Sequence, residues 1–237
     1  MIYIRKGSEP RSLTQYKSQP GANYNGYTQK DDVRIQLLEE QGYLCAYCMS
    51  RIFLGKMKIE HWKAQKALDG TGPEHELDYR NMLGVCEGNK SKPLSAQTCD
   101  AHRGNTDLFV DPRNEEQIKQ IEYRSDGTIY SKNERIDFDL NETLNLNSDK
   151  AYIKASRKEA IKELQKYLKN AQRTGTWEPR LLNGIKKRYL EKKDGKYEPY
   201  VGALLFFVEK YLKKAAMQRG VIDKCIFDVL VSDWRDI

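Results

Sequence analysis

The chain has 237 residues, of which 39% are hydrophobic and 32% are charged, and its formal net charge is +7. This composition is typical of a soluble globular protein, and no stretch approaches the roughly 18 to 20 apolar residues that a membrane helix needs. The N-terminus is charged almost at once and has no apolar region of the kind found in signal peptides. We therefore expect a cytoplasmic protein in a reducing compartment, where clustered cysteines are more often metal ligands than disulfides.

The first half of the chain predicts a mixture of short elements. Residues 1–30 are polar and turn-rich and predict an irregular arm. Helical spacing of apolar residues predicts a helix over 31–41, capped by Gly42. A short strand is expected around 58–62 and a second apolar segment at 81–86. The alternating stretches IEYR and TIYS, between turn signals, predict a β-hairpin within 108–130.

After about residue 147 the sequence becomes helical. Ser148 and Asp149 are typical of a helix start, and the apolar face that follows predicts a helix ended by Gly175. Pro179 opens a second predicted helix, which runs to Asp194, and Pro199 opens a third whose apolar first half should be core. The predicted fold class is α+β, and the boundary near 147 is soft enough for both halves to pack as one domain.

Positive charge is concentrated in this helical region. Between 150 and 198 there are 15 Lys and Arg against 6 Asp and Glu, a local balance of +9. Such a run is either a solvated helix surface or a track for nucleic-acid phosphates. The candidate phosphate-binding residues are Lys186, Lys187 and Arg188.

Four of the five cysteines fall in two groups, Cys45 and Cys48, then Cys86 and Cys99. Four thiolates in two groups predict a closed tetrahedral zinc site, with the polar loop between the second pair pushed outwards. A redox dithiol at the first pair would leave the second pair unexplained. Buried free cysteines are the other alternative, and that interpretation suits Cys225, which lies alone in an apolar stretch.

Polar residues that carry chemistry lie among these cysteines. Glu60 and His61 end the first predicted strand, Asn81 precedes the second, and Asp100, His102 and Arg103 follow the last cysteine. This order, from the CAYC turn to TCDAHRGN, resembles the zinc-bound subclass of the HNH, or ββα-metal, endonucleases. The resemblance covers about residues 45–105.

The resemblance implies a zinc-stabilised ββα-metal core and assigns roles to these residues. His61 would be the general base, Glu60 a ligand of a catalytic Mg²⁺ or Mn²⁺, and Asn81 the residue that fixes the loop orienting the histidine. The structural Zn²⁺ would be separate from this catalytic cation.

The resemblance also assigns roles to residues after the last cysteine. The second ligand of the catalytic cation would be Asp100, with His102 as the alternative. Arg103 would lie near the scissile phosphate. The implied organisation is an arm at 1–30, a zinc-bound HNH nuclease domain with a β-hairpin at 31–147, and a basic helical region at 148–237.

A wider resemblance runs along nearly the whole chain, through motifs such as YRNMLGVC, LFVDPRN and PYVGALLFFVEKYLKK. They resemble the PtuB group of HNH subunits from Septu-type anti-phage defence systems, some of which accompany retrons. This implies a toxic effector subunit, a partner ABC-type ATPase, PtuA, and in some systems a retron reverse transcriptase with its multicopy single-stranded DNA. The chain has no GxxxxGK[ST] motif, so any ATP site would belong to another chain.

Two other classes of function stay open at this point. The chain could be a non-catalytic, zinc-stabilised nucleic-acid-binding module, or an adaptor subunit of an ATPase complex. If it is a nuclease, DNA and RNA substrates, including transfer RNA, are equally compatible with its sequence.

Overall fold

The computed structural model describes residues 1–66, 70–171 and 177–218. Its buried apolar side chains form one continuous core that includes residues from Met1 to Val208. The sequence predictions for Gly175 and Cys225 lie outside the described residues.

The N-terminal arm differs from the irregular segment that we expected, because it contains helix α1 at Arg11–Lys17. Leu13 of this helix is fully buried, and the Ser12 hydroxyl lies 2.9 Å from the hydroxyl of the buried Tyr27. Burial of one side of a short helix stabilises it even where the local sequence is polar. Farther upstream, the Ile4 amide donates to the Pro112 carbonyl over 2.8 Å, which fixes the arm to the body of the protein.

Helix α2 spans Lys30–Glu40, as predicted within one residue, and buries Val33, Leu37 and Leu38. Gly42 lies two residues beyond its last residue and has a φ of 57°, which glycine readily adopts. The buried Gln41 side chain joins this helix end to the second strand, since it donates to the Gly84 carbonyl over 2.7 Å and accepts from the Gly84 amide over 2.7 Å.

Strands β1 (Lys58–His61) and β2 (Met82–Val85) form a two-stranded antiparallel sheet in which His61 pairs with Met82 and Glu60 with Leu83. The short helix α3 follows at Cys99–Arg103. Both strands lie where the sequence predicted them. Their register places the end of β1 beside the start of β2.

A second antiparallel pair follows, with β3 at Ile121–Tyr123 and β4 at Ile129–Ser131, which confirms the predicted hairpin. Two short helices flank it, α4 at Glu115–Ile118 and α5 at Glu134–Phe138. Helix α5 continues into a π-helical turn at Asp139–Thr143. The buried Asp139 carboxylate accepts from the amides of Phe109 and Val110 over 2.6 and 2.8 Å, so it holds the chain that leads away from α3.

Three longer helices complete the described chain: α6 at Ile153–Ala171, α7 at Pro179–Leu190 and α8 at Val201–Gln218. Helix α6 begins later than predicted because Tyr152, at φ 60°, separates it from a 3-10 turn at Asp149–Ala151. Helix α7 ends earlier than predicted, and α8 begins later because Tyr200 has φ 59°. Both α6 and α7 pack on α8.

The described residues thus form a mixed α+β structure of helices and small sheets, which agrees with the predicted fold class. Among these residues, no helix combines the length and the apolar character required to cross a bilayer.

Candidate functional site

The four cysteines of the two predicted groups come together into one cluster. Their sulfur atoms all lie within 4.8 Å of one another, and the separations are 3.9 Å for Cys45 and Cys99, 3.8 Å for Cys48 and Cys86, and 3.7 Å for Cys86 and Cys99. All four are free thiols. Among the described residues, this is the one group of three or more Cys, His, Asp or Glu side chains close enough to share a metal ion.

Local backbone geometry brings the sulfurs together. Cys45 and Cys48 lie in a turn closed by the Cys45 amide, which donates to the Ser50 carbonyl over 2.9 Å. Cys86 directly follows β2, and Cys99 opens α3. The loop between them is closed by a bond from the Thr98 amide to the Gly88 carbonyl. A Cβ on Gly88 would lie 2.1 Å from the Thr98 carbonyl oxygen, so this close approach requires glycine.

The cluster fits zinc. A tetrahedral ion with Zn–S bonds of about 2.3 Å places its sulfurs about 3.8 Å apart. The three short separations in the cluster bracket that value. Three of the thiols are buried and Cys86 is partly buried, so a bound ion would be largely shielded from water. Burial also raises the pKa of Cys45, which means that its thiolate needs a nearby positive charge.

Beside the thiol cluster, Glu60 is buried and heavily contacted. The Tyr47 hydroxyl donates to its Oε1 over 3.1 Å, and Arg103 Nη1 forms an ion pair with the same oxygen. Burial raises the pKa of Glu60 to about 8 against the opposing charge of Arg103, and the neighbouring Asp100 carboxylate adds to the increase. Two carboxyl groups that lie close together disfavour each other's ionised form.

Asp100 is the other member of this pair. It lies in the first turn of α3, and its Oδ2 forms an ion pair with Lys58 Nζ of β1. Burial alone would raise its pKa, but the hydrogen bond with Glu60 and the charge of Lys58 lower it below the usual value. The pKa values of the two carboxyl groups are therefore shifted in opposite directions, upwards for Glu60 and downwards for Asp100.

His61 follows Glu60 on the strand and has partners of its own. Its Nε2 lies 2.9 Å from the Glu76 carbonyl oxygen, and its ring contacts the Tyr24 ring edge-to-face at a centroid distance of 4.5 Å. Because a carbonyl only accepts hydrogen bonds, Nε2 carries the proton and Nδ1 holds a free lone pair in the neutral ring. Burial lowers the pKa of His61, which favours this neutral form.

Asn81 holds the loop that follows His61. Its Oδ1 accepts from the Lys63 amide over 2.7 Å, and its Nδ2 donates to the carbonyls of Lys63 and His75 over 3.0 and 3.1 Å. The Asn81 carbonyl also accepts from the Trp62 amide over 2.9 Å. One buried side chain thus fixes both segments of the loop around the imidazole.

His102 and Arg103 lie on different sides of α3. His102 Nδ1 donates to the Thr143 carbonyl over 2.9 Å, away from Glu60. Arg103 is only 3% exposed, and besides Glu60 it donates to the carbonyls of His61, Trp62 and Thr106 over 3.1, 2.6 and 2.7 Å. The structure therefore brings Asp100 and Arg103 to Glu60, but not His102.

The three predicted phosphate contacts lie far along the chain, on α7. Lys186 forms an ion pair with Glu209 at 2.9 Å, and Lys187 lies 3.9 Å from Glu191. The Arg188 guanidinium lies over the Tyr167 ring, 5.5 Å from its centroid. Two of the three charges are thus compensated within the protein.

Sequence reasoning missed two residues that hold the carboxyl pair, Tyr47 and Lys58. Both could have been found. Lys58 lies two residues before Glu60 on a strand, so their side chains share one face. Tyr47 lies between Cys45 and Cys48. If the turn that carries these cysteines packs on β1, the Tyr47 hydroxyl comes near that strand.

Comparison with known proteins gives two distant relatives. No protein-family model matches the chain. It is 27% identical over 144 residues to the "Retron Vc95 putative HNH endonuclease" of Vibrio cholerae serotype O1 biovar El Tor, a match that covers 59% of this chain and 68% of that relative. It is 28% identical over 98 residues to the "Retron Ec83 putative HNH endonuclease" of Escherichia coli, covering 37% of this chain but only 38% of that relative. These similarities support a relationship to the HNH family and, in general terms, nuclease activity.

Proposed function

We propose that this chain is a metal-dependent HNH endonuclease of the zinc-bound subclass, which hydrolyses phosphodiester bonds of a nucleic acid. The observation that carries the proposal is the end of β1, where the buried Glu60 faces Asp100 while His61 is held with its Nδ1 lone pair free. A hard-cation site and a general base are thus adjacent in sequence and oriented by separate contacts.

The residues fit the two metals that the proposal requires. Cys45, Cys48, Cys86 and Cys99 would hold Zn²⁺, and its role would be to fix the turn, the strand and the helix that carry the site. Glu60 and Asp100 supply carboxylate oxygens, the ligands that Mg²⁺ and Mn²⁺ prefer. When bound there, such a cation would neutralise charge on the phosphoryl and leaving oxygens.

The chain's own residues perform the proton transfer. Neutral His61 accepts a proton from the attacking water at Nδ1, and the Glu76 carbonyl stabilises the resulting imidazolium through Nε2–H. Asn81 and Arg103 restrict the backbone from His61 to Lys63, so the imidazole is held before substrate binds. Arg103 is therefore a positioning residue in this structure, and its predicted contact with a phosphate stays a prediction.

The biological setting is part of the same proposal. We infer a toxic effector subunit of a bacterial anti-phage defence system of the Septu or retron type, similar to PtuB, with the ATPase PtuA as partner. The names of the two relatives support a retron-type system. A reverse transcriptase and its multicopy single-stranded DNA would then be further partners.

The test is a cleavage assay on the purified chain, alone and with its ATPase partner. Duplex DNA and total RNA are offered with Mg²⁺ or Mn²⁺, and wild type is compared with His61→Ala. We expect the substitution to lower the rate by about 10² to 10⁴-fold, the usual contribution of a general base. Unchanged zinc content and unfolding midpoint in the variant would show that the fold is intact. Equal cleavage by both proteins would refute the assignment of His61.

One observation favours a second candidate, a non-catalytic nucleic-acid-binding or adaptor subunit. Arg103 and Lys58 already compensate Glu60 and Asp100, so the carboxyl pair is satisfied without a cation. This alternative predicts no cleavage with any divalent ion, and little effect of Asp100→Asn on nucleic-acid binding.

A further inference from the structure

Helix α7 presents an unusual stripe to solvent. Arg180, Gly184 and Arg188 recur every four residues, so they share one face of the helix, and the two arginines are separated by about 12 Å along its axis. All three residues are exposed. The glycine thus leaves a notch between two guanidinium groups.

The notch opens into a groove between α7 and α6. The groove has a volume of about 450 Å³ and an apolar floor that includes Leu181 and Ile185. Its wall on α6 is Tyr167, whose side chain is 46% exposed. The Arg188 guanidinium lies 5.5 Å from the centre of the Tyr167 ring, an arrangement typical of cation–π pairs.

Gly184 is not required by the packing of the protein itself. No heavy atom lies within 4 Å of the position that a Cβ would occupy there. Glycine inside a helix costs about 1 kcal/mol relative to alanine, and here no internal contact compensates for that cost. The open space above Gly184 is therefore available to a ligand.

The charges of the groove favour an anion. Among the described residues, neither Arg180 nor Arg188 forms an ion pair with a carboxylate, whereas Lys186 and Lys187 on the same helix are paired with Glu209 and Glu191. The groove lining contains one carboxylate, that of Glu178, at the start of α7. Its positive charge is thus concentrated on the two arginines that flank the notch.

We propose that this groove binds a nucleic-acid strand, with backbone phosphates at Arg180 and Arg188 and a base stacked on Tyr167. Guanidinium groups beside an exposed aromatic ring form the combination by which proteins bind single strands without sequence preference. This inference rests on the proposed nuclease function and deepens it, because it assigns the substrate contact to Arg180 and Arg188 rather than to Lys186 and Lys187.

The test is fluorescence anisotropy with labelled 30-nucleotide single-stranded DNA, the matching RNA and duplex DNA. Every protein carries His61→Ala, so that the probes are not cleaved. Arg180→Ala combined with Arg188→Ala should weaken single-strand binding by about tenfold or more and reduce the slope of log K against log salt by about 1.4, two phosphate contacts at about 0.7 each. Tyr167→Ala should weaken it by about fivefold or more through lost stacking.

Gly184→Glu is a second test variant, and it does not remove any existing contact. It fills the notch and adds a negative charge, so binding should fall as strongly as in the double arginine variant. The fold should be retained, because glutamate favours a helix more than glycine does. Lys162→Ala is the matched control, since it removes one exposed positive charge from α6 outside the groove and should change binding by less than about twofold.

The outcomes separate this inference from the proposed function. If the groove variants and Lys162→Ala bind alike, or if the wild-type surface binds no nucleic acid, the groove assignment is wrong even where His61-dependent cleavage persists. If the groove variants instead lose the ATPase partner and retain nucleic-acid binding, the groove is a protein-docking surface and our assignment is overturned.

Discussion

The thiol cluster and the carboxyl pair lie side by side, but their charges are compensated in different ways. In the described part of the chain, the close partners of the four thiols are one another and, for Cys48, the Ser50 hydroxyl at 3.1 Å. Glu60 and Asp100 each have a cation from the chain itself, Arg103 and Lys58 respectively. The carboxyl pair can therefore exist without a metal, whereas four adjacent thiolates cannot.

This difference indicates different tasks. Thiolates that depend on a bound metal ion are suited to a structural role. Without the ion they would repel one another, so metal binding stabilises the fold around them. A site with its own cations is suited to reversible binding, because a bound ion would take the place of Lys58 beside Asp100. The predictions below test this contrast, from the largest expected effect to the smallest.

The largest effect is expected from Cys45→Ser. Removing one thiolate should reduce zinc from one ion per chain to none and abolish the cooperative unfolding transition. A structural zinc contributes about 10 kcal/mol, which is comparable to the whole stability of a domain. Zinc analysis and thermal unfolding would measure both. Cys225→Ser is the control and should retain both the ion and the transition. If Cys45→Ser keeps its zinc and its melting behaviour, the cluster is not a metal site.

Next comes Arg103→Met. It leaves Glu60 without its cation and three backbone carbonyls without their donor, so it should lower the free energy of unfolding by about 3 to 5 kcal/mol. The Lys58 side chain is 36% exposed, so Lys58→Met should lower the free energy of unfolding by about 1 kcal/mol or less. Urea denaturation of both variants would test the order. Equal losses of stability in the two variants would contradict the structure, in which the Arg103–Glu60 pair is more deeply buried than the Lys58–Asp100 pair.

A third comparison separates Asp100 from His102. Asp100→Asn should reduce cleavage by about 100-fold, because it removes one of the two anionic ligands that we propose for the catalytic cation. His102→Gln should stay within about fivefold of wild type, since an amide can still donate to the Thr143 carbonyl. Initial rates across an Mn²⁺ titration would show the difference. The opposite order would identify His102 as the ligand.

Only a modest effect is expected from Tyr47→Phe. It removes one hydrogen bond to Glu60 and should cost about 1.5 kcal/mol of stability. Tyr27→Phe is a matched control, because Tyr27 is equally buried and bonds to Ser12 instead. Both variants should be destabilised, but only Tyr47→Phe should alter Mn²⁺ affinity, which calorimetry of the metal-binding step would detect. No difference in affinity would remove Tyr47 from the account of the carboxyl pair.

Much of the framework could be predicted from the sequence. Periodicity located α2, β1 and the β3–β4 hairpin, because each shows a local spacing of apolar residues, helical in α2 and alternating in the strands. The cysteine spacing predicted the cluster, since four thiols in two groups are typical of one tetrahedral metal site. Helix α1 was missed because burial of Leu13 by distant residues, rather than local propensity, stabilises it.

The environment of Arg103 could not be predicted in the same way. An arginine before Gly104, next to candidate metal ligands, is typical of a phosphate contact. Its burial on Glu60 depends on how α3 packs against the end of β1, a contact between residues 43 positions apart. Side-chain direction on a five-residue helix is set by tertiary packing, which sequence spacing does not define.

The most direct test of the central contrast is metal analysis and cleavage on the same sample, before and after dialysis against EDTA. We predict that zinc remains near one ion per chain while cleavage is lost, and that Mg²⁺ or Mn²⁺ restores cleavage in wild type but not in His61→Ala. If zinc and activity are lost together and zinc alone restores the activity, the thiol cluster and the carboxyl pair do not have the separate structural and catalytic roles that we propose. Cleavage that persists without any added divalent ion would contradict it as well.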